Sequence, residues 1–237
     1  MANEPIYGLD ISAYQPPQSM DWPRLKSLGY QFVYIRGVKM GREIDVYCVE
    51  HSKRAKAAGV SVGLYTFFHP SQPAERQIDL TIEAHDRCGL GVGDLAPALD
   101  VESITNGAQC TKAWVEPAKE ILEALTERYE TAIRYHNVSD WYSLGRPTSL
   151  QQWDLWLADY TPPADLPCLL WQQKSAKVDG YGSIILDQNV AYGPLRTIGP
   201  KEDHVVIVEP NTKDIPWPRW DYAEHSRLRN QKVSQGE

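Results

Sequence analysis

Gln31-Phe32-Val33-Tyr34-Ile35-Arg36-Gly37-Val38 is a run of β-branched and aromatic residues, and Ser61-Val62-Gly63-Leu64-Tyr65-Thr66-Phe67-Phe68 is a second. Between them, residues 45–58 carry helical period and end at the glycine of Ala57-Ala58-Gly59. Such runs read as strands and the segment between them as a helix packed on one face. A strand, a crossover helix and a strand give parallel pairing with a right-handed connection. The same unit recurs outward in both directions. Strands are expected at 6–12, 96–102 and 131–137, with helices at 22–28, 74–87 and 112–129 and a short one after Asn137. Three more runs, 154–160, 168–174 and 183–190, follow too closely for helices to fit between them. Eight strands are the number that closes a barrel around a core of side chains. The expectation is therefore an α/β fold, a TIM-like barrel of five βα units followed by three strands lacking helices.

That barrel takes up residues 1–195, leaving 196–237 as a C-terminal tail that packs on the barrel or mediates attachment. The tail holds one apolar run, His204-Val205-Val206-Ile207-Val208, and a Pro/Trp stretch that includes Trp217 and Trp220. From Lys201 onward six Lys or Arg face seven Asp or Glu, a balance unlike a cationic membrane-disrupting arm. About 40 residues rarely fold alone, which favours packing on the barrel.

Composition narrows the function. The 237 residues are 42% hydrophobic and 23% charged, enough for a sizeable core. A net charge of -7 argues against a nucleic-acid partner, because neutralising phosphates takes clustered Lys and Arg. No apolar run is long enough to span a bilayer, and the start, Met1-Ala2-Asn3-Glu4-Pro5, lacks the basic and apolar regions of a secretory signal. Synthesis in a cytoplasm is expected, with the chain a monomer. Cys48, Cys88, Cys110 and Cys168 are widely spaced and include no CxxC pair, so free thiols are expected and no disulfide scaffold. His69 and His136 are lone residues at strand ends, and without an HxxxH or HExxH pair no metal site and no cofactor is called for. Eight Trp and 13 Tyr against three Phe supply flat apolar faces with polar edges, which suit sugar stacking.

In a parallel barrel the active site forms at the carboxyl ends of the strands. Four acids fall there: Asp10 on the first strand, Asp100 and Glu102 on the fourth, and Asp187, read as late in the eighth. Side chains alternate along a strand, so Asp100 and Glu102 share one face while Val101 points to the helices. The first and eighth strands are neighbours in a closed barrel, which sets Asp10 beside Asp187 and across the lumen from the other two. Like charges in a desolvated cleft raise each other's proton affinity and can keep a carboxylic acid protonated near neutrality. Glycoside hydrolysis needs such an acid and a second carboxylate at the anomeric carbon. Tyr65 and Phe67 share a face, as do Trp156 and Tyr160; with Tyr135 and Trp171 they are candidates to line a sugar groove. Gly59-Val60-Ser61-Val62-Gly63 matches the GxSxG pattern of serine hydrolases, but Ser61 leaves a helix and enters a strand, the reverse of a nucleophile elbow.

Over residues 6–193 the chain resembles glycoside hydrolase family 25, lysozymes of bacteria, fungi and phages. The resemblance rests on Tyr7-Gly8-Leu9-Asp10-Ile11-Ser12 with Gln15, Asp21-Trp22, Phe32-Val33-Tyr34-Ile35-Arg36, Asp45 and Ala57-Ala58-Gly59. It continues through Gly63-Leu64-Tyr65-Thr66-Phe67, Leu99-Asp100-Val101-Glu102, Tyr135, Trp156-Leu157-Ala158-Asp159-Tyr160, Trp171-Gln172 and Asp187-Gln188-Asn189. It implies cleavage of the β-1,4 bond between N-acetylmuramic acid and N-acetylglucosamine in peptidoglycan. By matching position, Glu102 protonates the leaving oxygen, Asp100 orients the N-acetyl group or stabilises the intermediate, and Asp10 and Asp187 tune and hold the pair. Arg36, Gln172 and Asn189 join the substrate-binding set on the same basis. Two departures stand out: Gly37-Val38-Lys39-Met40-Gly41 where many members carry Thr or Ser and then Glu-Gly, and Thr66 where His is frequent. A lysozyme without a signal peptide suggests a phage or prophage endolysin, released late from the host or carried in the virion. Two other readings use the same residues, a chitinase-like glycosidase and a sugar-binding virion component without turnover. Neighbouring-group attack by the N-acetyl and direct attack of water both remain open.

Overall fold

The computed structural model describes residues 5–161, 166–191 and 193–200. In chain order its elements are β1 (Ile6–Ile11), α1 (Trp22–Ser27), β2 (Tyr30–Lys39), β3 (Glu43–Ile44), α2 (Cys48–Ala57), β4 (Ser61–Phe67) and α3 (Ala74–Cys88). They continue with β5 (Ala98–Asp100), α4 (Val115–Tyr129), β6 (Ile133–Asn137), α5 (Val138–Ser143), β7 (Asp154–Ala158), β8 (Leu170–Lys177) and β9 (Ile185–Ala191). The strands pair in the order β1-β9-β8-β7-β6-β5-β4-β2, and β1 also pairs with β2, so eight strands close a barrel. The two-residue β3 adds only a short antiparallel rung to the end of β2.

The first seven barrel strands are parallel to their neighbours, but β9 runs antiparallel to both β8 and β1. The reason is the connection. Only residues 178–184 join β8 to β9, too few for a crossover, so the chain turns back as a hairpin.

Local chemistry explains where the helices start and stop. Asp21 caps α1 by accepting from the Arg24 N–H at 3.0 Å, with Pro23 in the first turn. Asn137 caps α5 by accepting from the Asp140 N–H at 2.8 Å. Gly89 ends α3 in the left-handed region at φ 61°, where an L side chain is costly. Inside the barrel Phe32, Tyr34, Ala98, Ile133, Tyr135, Trp156 and Leu170 fill the lumen. Two glycines make room for them. A Cβ on Gly8 would sit 2.4 Å from the Phe32 ring and one on Gly63 would sit 2.6 Å from Tyr34. The outward residues of the same strands, such as Val33, Ile35, Val62, Leu99 and Val101, pack beneath the helices in two further clusters.

At the amino end of the barrel, residues 196–198 run antiparallel to 94–96. Ala96 N–H donates to the Arg196 carbonyl at 2.9 Å and Ile198 N–H to the Asp94 carbonyl at 2.8 Å, while Arg196 pairs with Asp154. Residues 201–237, with the apolar run and Trp217 and Trp220, lie outside the described residues. No helix among the described residues is long and apolar enough to cross a membrane. All four cysteines are free thiols.

Candidate active site

Register builds the site. Asp10 on β1 pairs with Tyr34 on β2 and with Asp187 on β9. Phe67, Asp100, Tyr135 and Trp156 stand in one row across β4, β5, β6 and β7. Partners in a ladder point to the same face, so the row looks into the lumen. Asp187 is the third residue of β9, not a late one. Because β9 is reversed, its beginning lies at the carboxyl mouth of its parallel neighbours, which is how the acid reaches the site.

Above the lumen core opens a cavity of about 490 Å³. Asp10, Asp100, Glu102 and Asp187 all line it, and so do Arg36, Tyr65, Phe67, Tyr135, Trp156 and Gln172. A smaller cavity of about 180 Å³ continues past Gln172 and Asp187 to Tyr160. β5 ends at Asp100, short of the expected 96–102, and Val101 just beyond it is fully buried on the helix side. Two residues expected at the groove are placed elsewhere. Trp171 points outward into a cluster with Leu155 and Leu157 and donates through its indole to the Asp159 carbonyl, since inward Leu170 sets the alternation of β8. Asn189 is completely buried below the cavity, where its amide reaches Asp10.

The acids differ in how they are held. The Asp10 carboxylate accepts from the amides of Gln172 and Asn189, both at 2.7 Å. Those amides are oriented in turn, by Tyr135 O–H donating to Gln172 at 3.0 Å and Trp156 N–H donating to Asn189 at 2.8 Å. Burial and the neighbouring Asp187 still push Asp10 up to about 7. Asp100 is buried with Oδ1 unpartnered, and burial with Glu102 and Asp10 beside it lifts its carboxyl well above the usual range. Desolvation, then Asp140 and Asp187, raises Glu102 to about 7. Asp187 is raised chiefly by burial. Arg36 faces the cavity with its guanidinium fixed to Asp45 at 2.8 Å, which opposes the rise at Asp100. A cluster of this kind cannot ionise fully at neutral pH. It therefore holds at least one proton beside carboxylates, the equipment of acid-assisted bond cleavage.

No group of His, Cys, Asp and Glu suited to hold a metal ion occurs among the described residues. His136 is buried and held neutral, its pKa lowered by burial to about 3, with Nδ1 3.2 Å from the Val101 carbonyl. His69 bonds to Ser71 in the loop after β4.

The family model of glycosyl hydrolases family 25 matches residues 9–177. The chain belongs to that family. Protein YegX of Escherichia coli O6:H1 is 25% identical over 215 residues, covering 83% of this chain and 73% of YegX. Among solved structures, a family 25 glycosyl hydrolase from Bacillus anthracis superposes with a TM-score of 0.70 at 24% identity, over 80% of this chain and 89% of its own. A muramidase from Acremonium alcalophilum gives 0.68 at 24%, over 80% and 94%. A bacterial lysozyme from Streptomyces coelicolor gives 0.69 at 23%, over 79% and 92%. These likenesses share the barrel just described.

In this family 25 glycoside hydrolase, Thr66 and the segment Gly37-Val38-Lys39-Met40-Gly41 differ in where they face. Thr66 faces α3, where its hydroxyl meets Thr81 at 2.6 Å, so its role is in packing. Lys39 and Met40 line the cavity at the end of β2. Reading the sequence missed Ser12, Tyr14, Ser103, Ile104 and Thr105 on the cavity wall, all in loops whose course periodicity does not report. It also missed Asp140, although Asn137-x-x-Asp140 after a strand has the spacing of a helix cap.

Proposed function

We infer that the protein is a lysozyme, a peptidoglycan hydrolase that cleaves the β-1,4 bond between N-acetylmuramic acid and N-acetylglucosamine. The observation that carries this reading is Glu102: a carboxyl at the mouth of a family 25 barrel, held near pKa 7 and open to a cavity shared with three other acids. In this reading Glu102 donates its proton to the glycosidic oxygen as the bond breaks. Asp100, which lines the cavity beside Glu102, is suited to accept from the N–H of the substrate N-acetyl group and orient it. Asp10, clamped by two amides, and Asp187 beside it share the negative charge that the cluster retains beside the anomeric centre. Tyr65, Phe67, Tyr135 and Trp156 offer the floor and Tyr160 an outlying face for sugar rings, with Arg36 beside Tyr65 on the neighbouring strand. The same reading has the enzyme acting on walls after release from the cell that makes it, or from a virion.

The test is product release from purified peptidoglycan and from chitin, with mass spectrometry of the new ends. Muramic acid at the new reducing end from peptidoglycan, and little release from chitin, is the expected result. Equal or faster release from chitin would replace the reading with a chitinase-like one, and binding to walls without any release would leave a sugar-binding protein.

A further inference from the structure

Glu102 sits between two fixed residues. On one side Val101 is pinned to β6, its N–H donating to the Tyr135 carbonyl at 3.1 Å and its carbonyl meeting His136. On the other side Ser103 is pinned to α5. The Asp140 carboxylate accepts from the Ser103 N–H at 2.8 Å and from the Ser103 hydroxyl at 2.5 Å. It also accepts from the Asn137 side-chain amide at 2.5 Å. Asp140 is only 5% exposed, and every group bonded to its oxygens is a donor, the pattern a carboxylate requires. The Ser103 hydroxyl in turn accepts from the Cys110 N–H at 2.9 Å, which ties down the far end of the loop as well. Behind the cluster, His136 stacks on Trp141 at 5.2 Å and Arg134 lies 4.6 Å over the same ring, locking α5 to β6.

We propose that Asp140 is a positioning residue for the hydrolysis: through Ser103 it fixes the turn that presents Glu102, and it sets a buried carboxylate against the residue next to the acid. This rests on the reading of Glu102 as the acid. A charge fixed on the far side of Ser103 from the cavity stays in place while substrate enters, so the acid remains loaded when water is displaced. Burial is the first cause of the raised Glu102 pKa, with Asp140 next. The other charged groups around the cavity are Asp10, Asp100 and Asp187 on its acidic side and Arg36 and Lys39 on its basic side. The phenols of Tyr14, Tyr65 and Tyr135 also face it, and burial keeps the last two neutral. The Cys110 thiol, pushed up to about 12 by burial and Asp140, carries no charge either.

The experiment compares wild type with Asp140→Asn and Ser103→Ala, reading the Glu102 pKa by carbon-detected NMR of labelled glutamate and the pH profile of wall hydrolysis. Asp140→Ser runs in parallel, removing the charge with a smaller side chain should the amide disturb the fold. With the charge gone, the Glu102 pKa and the alkaline limb of activity should both move about one pH unit lower, a roughly tenfold loss at pH 8 with little change in KM. Ser103→Ala keeps the charge and should lower kcat while leaving the limb in place. A folded Asp140→Asn protein with an unmoved Glu102 pKa would overturn the proposal. A lowered Glu102 pKa with an unmoved limb would instead overturn Glu102 as the acid, while leaving the electrostatic effect of Asp140 standing.

Discussion

At the scale of single residues, the site is a set of carboxylates distinguished by their partners. Asp10 has two amide donors and Asp100 Oδ1 has none, although both are buried. Removing a donor should separate their roles. Asn189→Ala leaves the Trp156 indole N–H without its acceptor and takes one hydrogen bond from Asp10, at a cost of about 1–3 kcal/mol in denaturant titration. It should also raise the Asp10 pKa further, visible by NMR. Asp10 and Asp100 were legible in the sequence from strand ends and barrel closure. Glu102, two residues past the end of β5, and Asp187, on a strand that runs the other way, line the same cavity for reasons the pattern did not carry. The amide clamp was not legible, because Gln172 and Asn189 come to Asp10 through the register of β8 and β9, which no local pattern encodes. Trp171 shows the same limit: an aromatic on a half-buried strand satisfies either face, and only the neighbouring Leu170 decides which.

At the scale of elements, the five βα units could be read from periodicity, most plainly at β2 and β4, while β5 is only the three residues Ala98–Asp100 of the expected 96–102. The reversed direction of β9 could not be read from the strand itself. It follows from the short 178–184 connection, and it moves Asp187 from the end of a strand to the beginning of one without taking it from the site. Close packing inside the barrel gives an element-level prediction. Gly8→Ala places a methyl in the Phe32 ring, which β1 can relieve only by shifting away from β2. Chemical denaturation should show a loss of about 2 kcal/mol or more. Asp10 lies two residues along the same strand, so activity should fall more steeply than stability alone explains.

At the scale of the whole molecule, the barrel holds protonated acids that the unfolded chain would release. Glu102 moves from 4.5 to about 7 on folding. Below 4.5 both states bind the proton; as pH rises to 7 only the folded state does, so this contribution to stability is present at low pH and lost through that window. Glu102→Gln removes this carboxyl's share of the dependence and leaves that of Asp10, Asp100 and Asp187. The variant should therefore gain on wild type between pH 4.5 and 8, by on the order of 2 kcal/mol in paired denaturation curves. The buried histidines His85 and His136, lowered to about 4 and 3, act in the opposite direction but equally in both proteins, so they cancel in the difference. The same substitution tests the account most directly through chemistry. On purified peptidoglycan, a correctly folded Glu102→Gln protein should release new reducing ends at least ~10²-fold more slowly than wild type. Near-wild-type release of muramic acid ends by that variant would contradict the assignment of the proton donor.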